Sequence, residues 1–199
     1  MTTAWLATVL LIVPVGVSES SDGVAPVERF TRAHRRTQLV GMGVLTGWAV
    51  ANIAGGITGA LIVDGDARYI HEMNALWNSV NLTLGIVGLV GSARRPPEVK
   101  SILEARRVNR RTRRVFAING ALDIAYIGAG ALTAGLGRRY AQRRVEGYGT
   151  AVVIQGAWLF AFDLAMVLAH ERVAMRTLPV QVGPLAGRGR LGFTISGRF

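Results

Sequence analysis

Residues 38–63 contain no Asp, Glu, Lys or Arg in 26 consecutive positions. As a helix they would be about 39 Å long at 1.5 Å per residue, enough to cross the ~30 Å hydrocarbon core of a bilayer. Residues 75–93 repeat the pattern over 19 positions. Residues 115–137 and 147–169, 23 positions each, hold one charged side chain apiece, Asp123 and Asp163. A soluble bundle would carry charges along one stripe of every helix, and these segments have almost none to place there. Lipid is therefore their expected solvent, because a helix satisfies its backbone hydrogen bonds internally. The fold class that follows is all-α: a transmembrane four-helix bundle made of two helical hairpins over 38–170, with a basic segment at 21–37 before it and a tail at 171–199 after it.

The 23 Lys and Arg residues give the chain a net charge of +11, and every one of them lies outside these four stretches. A basic side chain at mid-bilayer costs about 2.5–3.5 kcal/mol on insertion scales, which accounts for the exclusion. Their distribution is asymmetric: residues 18–37 carry four, the 94–114 loop nine and the chain from Glu171 onward five, against five on the other side. Positive-inside asymmetry places those three regions in the cytoplasm of a bacterial inner membrane. Because the basic residues bracket apolar spans and are not interleaved with aromatics on one soluble surface, a nucleic-acid partner is not expected. Anionic lipid headgroups are, with Arg106, Arg107, Arg110 and Arg111 as the contacts, although a partner membrane subunit or a second copy of the chain would meet the same loop. There is no cysteine, so thiol chemistry and thiolate metal sites are excluded.

At the N-terminus, residues 5–17 are apolar, include Pro14 and are followed by Ser18, Ser20 and Ser21, the pattern of a secretory signal peptide over 1–20. Cleavage would start the mature chain outside and invert the topology. An uncleaved short anchor ahead of Arg29, Arg32, Arg35 and Arg36 would preserve it. At the other end Leu191, Phe193 and Ile195 alternate with Gly192, Thr194 and Ser196, a period of two that reads as a small β-hairpin at the membrane surface.

Sliding the chain by 73 residues places Gly47 over Gly120 and Gly55 over Gly128, suggesting a parallel duplication of one helical hairpin. Gly43 with Gly47, Gly55 with Gly59, and Ala131 with Gly135 are small residues four apart, expected where helix backbones approach closely in lipid.

Polar residues inside the spans are the candidates for chemistry. His71, Asn74, Asn78 and Asn81 share one face of the second span, and Asn52, Asn119, Asp123, Gln155 and Asp163 add polar groups to the others. Asp123 and Asp163 fall at similar distances from the loop that joins the third and fourth spans, so they are expected to face one another. Two adjacent carboxyl groups in a low dielectric do not both ionise. A site binding or conducting a small polar solute or proton would use Asn52, Asn74, Asn78, Asn81, Asn119, Asp123, Gln155 and Asp163. The competing reading makes them interhelical glue, worth about 0.6 kcal/mol per hydrogen bond. Enzyme motifs are missing: His71-Glu72 has no second His four residues after the first, and Gly128-Ala129-Gly130 lies inside a span, so no metal or cofactor is implied. His34 and His170 fall on one membrane side and would be haem ligands only if a haem fitted between them.

HEMNALWNSVN (71–81), NGALDIAYIGAG (119–130) and IQGAWLFAFDLAM (154–166) together resemble a family of small, uncharacterised bacterial polytopic membrane proteins, a domain of unknown function. Its pattern of an Asn-rich second span, an Asn-x-x-x-Asp third and a Gln-Gly-x-x-x-x-x-x-Asp fourth maps onto Asn74, Trp77, Asn78, Asn81, Asn119, Asp123, Gln155, Gly156 and Asp163. The resemblance covers about 38–170 and implies a shared arrangement, not an activity.

Overall fold

The computed structural model describes residues 24–94 and 98–179, and the backbone of 181–187 and 190–196. The 1–20 leader or anchor lies outside the described residues. Four helices make up the bundle: α1 (Val24–Ile62), α2 (Ala67–Arg94), α3 (Ile102–Arg139) and α4 (Arg143–Thr177). All four are long and apolar enough to cross a membrane. Their outward faces are apolar, with Val44, Leu61, Leu76, Val87 and Leu132 more than half exposed, as side chains meeting lipid should be.

Helices α1 and α3 have 39 and 38 residues, about 57 Å each and well beyond one hydrocarbon thickness. From Val24 and from Ile102 onward the two basic stretches are helical and continuous with the spans that follow them. Two features make them helical. Ser101 caps α3 by accepting from the Glu104 backbone N–H at 3.2 Å, while the Glu104 carboxylate accepts from the Lys100 N–H at 3.0 Å, a capping-box exchange shifted by one residue. Phe30, Ala105 and Leu178 then bury one another at this end, with Val108 and Val173 packed around them, so the helix extensions have a core of their own.

The tightest pairings are α1 with α2 and α3 with α4, two antiparallel hairpins. Helix α4 also packs on α1 and α2, whereas α2 and α3 do not pack along their length. Close backbone approach comes through glycines other than the expected ones. A Cβ on Gly56 would lie 2.8 Å from the Ala75 nitrogen and the His71 carbonyl oxygen, and one on Gly130 would lie 2.9 Å from the Gly149 carbonyl oxygen. Gly43, Gly47, Gly55, Gly128 and Gly135 face open space. Of the glycines picked by four-residue spacing, Gly59 turns inward, onto the His71 ring, while the others face open space, because spacing alone does not fix which face turns inward. Beyond Pro179 the backbone of β1 (Gln181–Gly187) pairs antiparallel with β2 (Arg190–Ser196). The described side chains establish the four-helix bundle alone, and this tail is no part of it.

Candidate functional site

The polar residues separate into two groups with different chemistry. The first is a chain of amides that satisfy one another. Asn74 donates to Asn52 Oδ1 at 2.8 Å, Asn78 donates to the Asn74 carbonyl at 2.8 Å, and Asn81 donates to Asn78 Oδ1 at 3.2 Å. Gln155 of α4 donates to Asn74 Oδ1 and accepts from Trp48 Nε1 at 3.1 Å. Three helices, α1, α2 and α4, are thereby joined by one chain of bonds. Trp48 stacks on Trp158, ring centroids 4.2 Å apart and planes within 3°. Neither tryptophan stands out in the sequence as a site residue. The signal for them was their helical spacing from Asn52 and Gln155.

The second group is the carboxyl pair. Asp123 and Asp163 are 4% and 5% exposed, and their carboxyl groups are within hydrogen-bonding reach of each other across the α3–α4 interface. Gly120 lies beside the pair: a Cβ there would meet the Asp163 Cβ at an ordinary contact distance of 3.7 Å. Ionised carboxylates only accept hydrogen bonds, so the contact is attractive when a proton lies between them. Ile124 and Leu164, next in sequence, are 58% and 48% exposed and point to lipid. Asp123 Oδ2 is fully buried and takes no bond from any amide or hydroxyl, so the Asp163 carboxyl is the partner left to that side chain.

This pair borders a cleft of about 770 Å³ in the gap between α2 and α3, floored by α1 and α4. Asn81, Asn119 and Tyr126 line it with the two aspartates, so the amide chain ends at the cleft through Asn81. Asn119 is exposed there and bonded to none of the amides. Trp77 and Tyr126 meet edge to face, centroids 5.1 Å apart, and close one end. Gln38, Arg111 and Thr112 form the mouth at the other end.

The remaining candidates lie elsewhere. His71 packs its ring against Gly59. His34 and His170 are buried with ring centroids 4.5 Å apart, in direct contact, which leaves no room for a haem between them. His170 Nε2 instead pairs with Gln38 Oε1 at 2.9 Å. Arg107, Arg110 and Arg111 are exposed on the α3 extension. Arg106 is half-buried and donates to the Pro179 carbonyl, and Arg113 pairs with Glu171. Among the described residues no group of three or more His, Asp or Glu is placed to hold a metal ion.

Residues 44–164 match a family of unknown function, DUF6992. The chain belongs to that family. The DUF6992 region opens in α1 at Val44 and closes in α4 at Leu164, so it includes the amide chain, both aspartates and most of the cleft wall, and excludes the helix-end contacts at Phe30 and Leu178. No curated protein and no solved structure matches the chain. The family match assigns no reaction; the multi-pass membrane character rests on the four long apolar helices and the buried hydrogen bonds between them.

Proposed function

We propose that this protein is a multi-pass protein of the bacterial inner membrane, with its basic helix extensions in the cytoplasm. Its Asp123–Asp163 pair is a proton-bearing binding site for a solute entering the α2–α3 cleft. The supporting observation is the pair itself: two carboxyl groups almost fully buried, within hydrogen-bonding reach of each other and bordering a cavity. Two carboxyl groups that close in a low dielectric hold a proton between them, and an intramembrane carboxyl pair beside a cavity is a place where a solute and a proton can compete. Asn81 and Asn119 would orient the solute, while Asn52, Asn74, Asn78 and Gln155 hold the helices that carry the site.

Thermal unfolding in detergent across a pH series tests this reading. Loss of the proton between the aspartates leaves two anions facing one another in low dielectric, so wild-type stability should fall as pH rises. Asp123→Asn removes one of the charges and should flatten the profile. Superimposable profiles for wild type and variant would reduce the pair to neutral interhelical glue. That second reading, an accessory protein whose polar residues only fix helix register, is favoured by the amide chain, whose members already bond to each other.

A further inference from the structure

We propose that the α2–α3 cleft binds a lipophilic organic cation that enters sideways from the bilayer and exchanges for a proton on the Asp123–Asp163 pair. The inference rests on the reading of that pair as a proton-bearing site and names its ligand class.

Charge is the first argument. The two carboxyl groups border the cleft with no basic partner at their depth. Arg111, the basic residue of the lining, lies twelve residues before Asp123 on α3, about 18 Å along the helix axis. Arg111 and Tyr126 of α3 are the other titratable groups that line the cleft, and the α1, α2 and α4 walls add none besides Asp163. A monocation reaching the pair therefore meets negative charge with no competing cation beside it.

The walls are the second argument. Trp77, Tyr126, Phe116 and Phe162 put four aromatic rings around a cavity of about 770 Å³, which suits a bulky apolar cation held partly by ring faces. Access is the third. Helices α2 and α3 touch at Trp77 and Tyr126 but do not pack along their length, and the rim residues Val80, Leu84 and Leu122 are 61%, 57% and 48% exposed. An amphiphile dissolved in the membrane meets this rim before it meets water.

Charge balances in the exchange. One monocation enters, one carboxyl O–H bond breaks, and the proton leaves to water at the Gln38–Arg111–Thr112 mouth, so the net charge inside the cleft is unchanged. Binding should then tighten about tenfold per pH unit while one proton is released per cation.

The probe is tetraphenylphosphonium, titrated calorimetrically into the full-length protein in neutral detergent, in buffers of differing ionisation enthalpy. The expected result is saturable binding with close to one proton released. Asp123→Asn and Asp163→Asn should each weaken binding at least tenfold and flatten its pH dependence. Leu84→Trp, which narrows the rim without touching the pair, should abolish binding while leaving the pH–stability profile as in wild type. Neutral triphenylphosphine oxide or anionic tetraphenylborate binding as tightly as the cation would overturn the proposal, as would tetraphenylphosphonium binding that ignores both pH and the aspartate substitutions. If no phosphonium binds although wild-type stability still falls with pH and Asp123→Asn flattens it, the cation assignment fails and the proton-bearing site stands.

Discussion

At the scale of single residues, the same chemistry, a polar side chain in lipid, has two outcomes in one bundle. Asn74 takes part in interhelical and intrahelical bonds with Asn52, Gln155 and Asn78. At about 0.6 kcal/mol per bond its replacement by Ala should cost roughly 2 kcal/mol in a detergent unfolding titration. Asp123 has the Asp163 carboxyl as its partner, so Asp123→Asn should change stability little at low pH, where the pair is protonated, and raise it at high pH. The sequence made both residues visible as charged or amide positions inside uncharged spans. It also placed the two aspartates at one depth, because helical rise converts residue count into distance. What it could not separate was which amides bond among themselves. That depends on the rotation of α4 against α1 and α2, which brings Gln155 to Asn74 and Trp48, 81 and 107 residues away.

At the scale of helices and their interfaces, backbone approach decides which substitutions are tolerated. Gly56→Ala would drive a methyl group into main-chain atoms of α2 that have nowhere to move. Its expected cost is about 1–3 kcal/mol. Gly55→Ala meets open space and should be neutral or stabilising by up to ~1 kcal/mol from helix propensity. The pair of variants, compared by thermal melting, distinguishes packing from composition. The helix ends were legible in part. Ser101 and Glu104 have the spacing of a capping signal that marks where α3 starts. The extension of α1 back to Val24 was not legible, since its charges obscured an apolar side that includes Phe30 and packs with Ala105 and Leu178. Ser101→Ala should cost about 1 kcal/mol and raise amide exchange over the first turn of α3.

For the whole molecule, orientation and assembly follow from where charge and contact are concentrated. A reporter active only in the periplasm, fused after Arg111, should stay dark; activity there would reverse the assigned orientation and favour a cleaved leader. Contact between the two hairpins runs mainly through α4, which packs on α1 and α2, with a lighter α1–α3 contact at Phe30 and Ala105; α2 and α3 meet at Trp77 and Tyr126 and otherwise pass along the cleft without packing. The stretch of chain between Arg94 and Ile102 therefore joins two helices that do not need each other as neighbours. Cutting the gene there and producing residues 1–95 and 96–199 from separate messages should yield two fragments that insert independently, find each other in the membrane and copurify. A protein divisible in this way behaves as a heterodimer written on one strand, and its ligand groove is the seam where the two parts were never sewn together.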